Sequence, residues 1–83
     1  MRVKIYTTNY CPYCRRAEAL LKQKGIAFEA TDVTDDQKTR EWLVQTTGFK
    51  TVPQIFIDGK AIGGYDQLVQ LDKAGGLAHL SSA

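Results

Sequence analysis

From Arg2 to Thr7 the chain reads RVKIYT: Val3 and Ile5 alternate with charged residues and Tyr6 adds bulk, the period of a half-buried strand. The pattern then changes to a helical one. Ala17, Leu20 and Leu21 recur at i, i+3 and i+4, while Arg15, Arg16, Glu18, Lys22 and Lys24 fill the other face. Pro12 suits the first helical position, because its missing N–H would have no intrahelical partner there, and Gly25 stands where a left-handed residue ends a helix. The spacing predicts a helix over 12–24. Ile26, Phe28 and Ala30 alternate again, which predicts a second strand over 26–33.

Thr34-x-x-Gln37 has capping-box spacing, Asp35 and Asp36 suit a helix N-terminus, and Gly48 closes the segment. A second helix over 35–47 follows, with Trp42, Leu43 and Val44 facing the sheet. Ile55, Phe56 and Ile57 read as a buried strand over 54–58, and the turn dipeptide Asp58-Gly59 leads into a fourth strand over 60–62. Gly63-Gly64 interrupts the chain. Asp66 is then a good N-cap for a third helix carrying Leu68, Val69 and Leu71 and ending at Gly75-Gly76, and the tail LAHLSSA adds one more turn. The order β-α-β-α-β-β-α implies an α/β fold: a four-stranded mixed sheet flanked by three helices, with right-handed parallel crossovers.

Length and charge narrow the reading. With 83 residues there is room for one domain, taken as 1–83. A net charge of +2 from scattered basic residues offers no surface for a polyanion, so no nucleic acid is expected. No apolar run approaches the ~20 residues of a membrane helix, and MRVKIYTT lacks a signal-peptide apolar segment, so no membrane association and a cytoplasmic location are expected.

The chemistry resides in the two cysteines, Cys11 and Cys14. A disulfide between them would enclose only Pro12 and Tyr13, so it would constrain the unfolded chain very little. Its value is chemical. A zinc site needs about four ligands, and His79 is the only further soft candidate, so no metal is expected. Cys11 stands at a helix start, beside unpaired N–H groups and the positive end of the helix dipole, which favour a thiolate. It is the expected nucleophile. Cys14, one turn on, is within disulfide reach but more buried, and is the expected resolving thiol. Tyr13, inside the motif, is the better candidate of the two flanking tyrosines for touching substrate.

Cys11-Pro12-Tyr13-Cys14, Thr51-Val52-Pro53 and Gly63-Gly64-x-Asp66, in that order and spacing, resemble the dithiol class of the glutaredoxin family over nearly the full length. The resemblance implies a thioredoxin fold and a monomer that reduces glutathione mixed disulfides and protein disulfides. Glutathione is then a co-substrate, with no bound cofactor. It also implies a cis peptide before Pro53, and a Val52 backbone edge against which the glutathione cysteine pairs like one more strand. Implied glutathione contacts are Pro12, Tyr13, Thr51, Val52, Pro53, Gly64 and Tyr65, with Asp66 at the γ-glutamyl end and Arg40 on the glycine carboxylate. The chain departs from many relatives at Thr8, where they carry Lys, and at Tyr65, where they carry Cys or Ser. Weaker carboxylate binding and an extra aromatic along the groove are the expected consequences. Two other functions share the Cys-x-x-Cys start: holding a [2Fe–2S] cluster between two chains, which Pro12 disfavours by stiffening the loop, and thioredoxin-like electron transfer from a flavoprotein.

Overall fold

A computed structural model describes residues 2–77. Strand β1 (Val3–Thr7) leads through a short loop to helix α1 (Pro12–Gln23), and β2 (Glu29–Asp32) returns parallel to β1. Helix α2 (Gln37–Thr47) precedes the antiparallel hairpin of β3 (Gln54–Ile57) and β4 (Lys60–Gly63), and α3 (Tyr65–Lys73) follows. The strand order is β2-β1-β3-β4, with β1 antiparallel to β3. The mixed four-stranded sheet and its three helices agree with the order of periods in the sequence.

Alternation along β1 divides the core. Val3 and Ile5 point to one face, where they pack with Ala17 and Leu21 of α1, Ile55 of β3 and Leu68 of α3. Tyr6 points to the other, where Leu43 of α2, Val33 and Phe56 meet it. Ile5, Leu21, Ile55 and Leu68 are fully buried, each contributing about 1.5–3 kcal/mol of transfer free energy. Trp42 remains 45% exposed, yet it stacks on Phe56 at 5.9 Å and tilts against Tyr6 at the same distance. It therefore covers the edge of the second core while its outer side meets solvent. Among the described residues no helix is long and apolar enough to cross a membrane.

Several local expectations are corrected. Ile26 and Phe28 pack into the core, but hydrogen-bonded pairing begins only at Glu29: Ile26 N–H instead donates to Leu21 O at 2.9 Å, as the chain turns off α1. Ala30, on this outer strand, is exposed. Thr34 does not cap α2, because its Oγ1 accepts from Asn9 N–H at 2.9 Å. Asp36 is the cap, accepting from Thr39 N–H at 3.1 Å and Thr39 Oγ1 at 2.7 Å. These bonds, the hydroxyl's foremost, hold the Asp36 carboxyl below its ordinary range. Asp66 likewise lies inside the first turn of α3. The N-cap is Gly64, whose N–H donates to Gln67 Oε1 at 2.9 Å. The expected extra turn at the tail, beyond Leu77, and His79 fall outside the described residues.

Candidate active site

Helix α1 begins at Cys11 because that residue satisfies the helix's own orphan donor. In extended backbone geometry (φ −101°, ψ 109°), Cys11 accepts the Cys14 N–H on its Sγ at 3.2 Å, and Pro12 takes the first helical position. A sulfur so placed takes up one of the backbone donors that the start of a helix leaves unpaired. Cys11 is partly exposed, and its Sγ–H donates to Val52 O at 3.5 Å, so the thiol bridges the helix start and the loop before β3. The Val52–Pro53 peptide is cis.

Three residues along the same turn, Cys14 is fully buried. Burial first, and then its hydrogen bond with Cys11, push the Cys14 thiol up to about 12; backbone hydrogen bonding with Thr8 pulls the other way. Both cysteines are free thiols. One turn of helix thus presents a partly exposed sulfur with an N–H donor beside a buried sulfur that keeps its proton at neutral pH.

A groove of about 790 Å³ runs past Val52, whose carbonyl the Cys11 thiol contacts, and three segments bring expected contacts to its wall. Tyr13 comes from α1, Thr51, Val52 and Pro53 from the loop before β3, and Gly64, Tyr65 and Asp66 from the start of α3. The approach of the last two segments is close. A Cβ on Gly64 would sit 3.2 Å from Pro53 O, tighter than ordinary contact, so glycine lets the helix start lie against the loop. The rings of Tyr13 and Tyr65 meet at 6.0 Å, and the Arg16 guanidinium lies 5.1 Å from the Tyr13 centroid. The extra aromatic expected from Tyr65 is therefore part of the groove wall.

Other expected contacts lie elsewhere. Pro12 is exposed at the helix start but does not line the groove. Arg40 does not line it either: its Nη1 donates to Thr34 O at 3.4 Å. Thr8 is fully buried, with its carbonyl accepting from Arg15 Nη2 at 3.2 Å, so it presents nothing to a ligand carboxylate. Its Oγ1 is buried without a hydrogen-bond partner among the described residues. Arg15 also pairs with Glu18 at 3.1 Å. Among the described residues, no group of three or more His, Cys, Asp or Glu is arranged to hold a metal ion.

The groove also extends past Thr51 to Thr46, Thr47 and Phe49 at the end of α2 and to Gln54 and Gln67, which the motifs do not mark. The only sequence signal for that extension is an aromatic residue immediately after the helix-ending Gly48.

The glutaredoxin family model matches residues 3–62. Glutaredoxin 3 of Escherichia coli K12 is 49% identical over 75 residues, 90% of each chain. A glutaredoxin of Pseudomonas aeruginosa is 44% identical over 81 residues, 98% of this chain and 96% of that one. In three dimensions a buckwheat glutaredoxin–glutathione complex matches with a TM-score of 0.88 at 31% identity, covering 94% of this chain and 74% of that chain. A glutaredoxin from Brucella melitensis matches with a TM-score of 0.85 at 41% identity, covering 96% and 87%.

Proposed function

This chain belongs to the glutaredoxin family and has its thioredoxin fold, and from that premise we propose how its own residues carry out glutathione-dependent thiol–disulfide exchange. The observation that carries the reading is the asymmetry of the first turn of α1. The Cys11 sulfur receives an N–H and contacts the carbonyl of Val52, a residue of the groove wall, whereas the Cys14 sulfur is buried and protonated. Cys11 attacks the glutathionyl sulfur of a mixed disulfide, the substrate thiolate departs and takes a proton, and glutathione remains on Cys11. A second glutathione thiolate attacks that glutathionyl sulfur, giving oxidised glutathione and freeing Cys11. With a protein disulfide, Cys14 gives up its proton and attacks Cys11 Sγ, which releases the reduced substrate and leaves the Cys11–Cys14 disulfide for two glutathiones to reduce.

The bound tripeptide lies with its cysteine along Val52, between Thr51 and Pro53 on one side and Tyr13 and Tyr65 on the other. Gly64 and Asp66 receive its γ-glutamyl end, where the Asp66 carboxylate meets the ammonium. Arg40 serves the glycine carboxylate after releasing Thr34 O, with Pro12 holding the helix start. The whole chain acts as a single domain and a monomer in the cytoplasm, on glutathionylated and disulfide-containing proteins.

A coupled assay tests the donor. Glutathione with glutathione reductase and NADPH is expected to sustain turnover. Turnover with thioredoxin reductase in its place, and none with glutathione, would sink the reading. Asp66→Ala and Arg40→Ala are each expected to raise KM for a glutathionylated substrate by about fivefold, the size of a solvent-exposed charge-assisted contact. Unchanged KM in both would show that the tripeptide's charged ends bind elsewhere.

A further inference from the structure

Phe49 is a large apolar side chain that is 59% exposed, which alone would be unremarked. Its backbone, however, is gripped from both sides. Phe49 N–H donates to Thr47 Oγ1 at 3.1 Å, and Phe49 O accepts from Gln54 Nε2 at 2.8 Å. The Thr47 hydroxyl also bonds Gln54 Oε1 at 2.9 Å, and Gln54 is only 5% exposed, so a buried amide fixes the backbone beneath the ring. Phe49 lines the same groove as Val52 and Pro53, together with Thr46 and Thr47 from the C-terminal turn of α2. None of Phe49, Thr46 and Thr47 is among the proposed glutathione contacts.

We propose that the Phe49 end of the groove is a docking subsite for an apolar side chain of a polypeptide disulfide substrate, one that glutathione does not fill. The inference rests on the proposed exchange at Cys11 and extends it to the choice of protein substrate. A polypeptide whose cysteine is attacked by Cys11 lies along the Val52 edge as an extended strand, and alternate side chains of such a strand share a face. Phe49 precedes Val52 by three residues, so the ring lies within about 10 Å of chain from the pairing point. A residue two positions from the substrate cysteine reaches it, whereas a tripeptide with cysteine at its centre has no residue two positions away. The chemistry is that of the established activity. The substrate S–S bond breaks as Cys11 Sγ attacks one sulfur, the other leaves as a thiolate and is protonated, and Cys14 then displaces the first.

The test uses peptides cyclised by one disulfide, carrying Leu or Ser two residues outside the attacked cysteine, on either side. Wild type is expected to reduce one of the Leu peptides about fivefold faster in kcat/KM than its Ser counterpart, the order expected for a partly buried apolar side chain. Phe49→Ala should abolish that preference and Phe49→Leu should retain it, while both variants cleave the mixed disulfide of glutathione and cysteamine at the wild-type rate. Equal rates on Leu and Ser peptides in wild type, or a preference that survives in Phe49→Ala, would overturn the subsite. An equal loss on glutathione–cysteamine would overturn it too, by making Phe49 part of the glutathione site. A wild type inert on glutathione–cysteamine but selective for Leu peptides would instead refute the glutathione reading and leave the subsite standing.

Discussion

Cys11 and Cys14 are separated by one helical turn and share a hydrogen bond, yet they occupy opposite physical environments. Cys11, at the mouth of the helix, is partly exposed and takes a backbone N–H on its sulfur. Cys14, inside the turn, is sealed against the β1–α1 connection and holds its proton to about 12. The attacking and resolving roles proposed for them rest on this difference: one sulfur meets a backbone N–H at the helix mouth, and the other lies in a core that penalises its ionised form.

The most severe way to break the asymmetry is to remove its exposed member. Cys11→Ser places an alcohol that does not ionise near neutral pH at the helix mouth, and activity on both mixed and protein disulfides is expected to fall to the uncatalysed background. Steady-state rates on glutathione–cysteamine and on a protein disulfide check it. Residual activity on either would mean that Cys14 can attack directly.

Chemical labelling reads the same difference without a mutation. At pH 7 a thiol at about 12 is thiolate in roughly one molecule in 10⁵, and burial restricts access further. Brief iodoacetamide treatment of the reduced protein, mapped by peptide mass, should therefore place nearly all the label on Cys11. Comparable labelling of Cys14 would erase the distinction.

The asymmetry was legible in sequence because Pro12, the strand before it and the two-residue spacing all address one local event, the start of a helix. Events settled by competition between neighbours were not legible. Thr34 has the right spacing to cap α2, but Asn9 N–H claims its hydroxyl, and Asp36 does the capping. Asp66 is a favourable cap residue, yet Gln67 reaches back to Gly64 and starts α3 earlier. Ile26 and Phe28 alternate as in a strand, but alternation reports side-chain direction and not hydrogen-bond pairing, which begins at Glu29. The groove's motifs were visible through resemblance, and the structure brings Tyr13, Val52, Tyr65 and Asp66 together. Phe49 was missed because its support is a buried Gln54 bracket, which no local pattern records.

Removing the buried member should split the activities. In Cys14→Ser a second glutathione can still clear Cys11, so cleavage of glutathione–cysteamine is expected to persist. Release of a protein held on Cys11 loses its intramolecular thiol and must wait for millimolar glutathione. Because the effective concentration of a well-placed intramolecular group far exceeds that, protein-disulfide reduction should fall by more than about tenfold. Parallel assays on the two substrates check this, and an equal loss on both would assign Cys14 a part in the first attack.

The smallest expected effect concerns stability, and its sign follows from the same burial. The folded Cys14 thiol is raised to about 12, above the roughly 8.5 of an unfolded cysteine. The neutral thiol is the form the fold accepts, so below the unfolded value this group imposes no penalty. As pH rises past it, the unfolded chain gives up the proton while the folded chain keeps it. The folded state then binds more protons, and stability falls with pH until the folded thiol also ionises. Between about pH 9 and pH 12 the loss should be on the order of 1 kcal/mol per pH unit for this one group. Tyrosines and lysines titrate in the same range, so the measurement is a difference: urea unfolding of the reduced wild type and of Cys14→Ala across that range, both with a phosphine reductant. Cys14→Ala should be less stable at pH 7, because its sulfur no longer fills the core, and should lose stability less steeply as pH rises. Parallel slopes would show that the folded Cys14 ionises like a solvated thiol, and the division of labour between the two sulfurs would then rest on Cys11 alone.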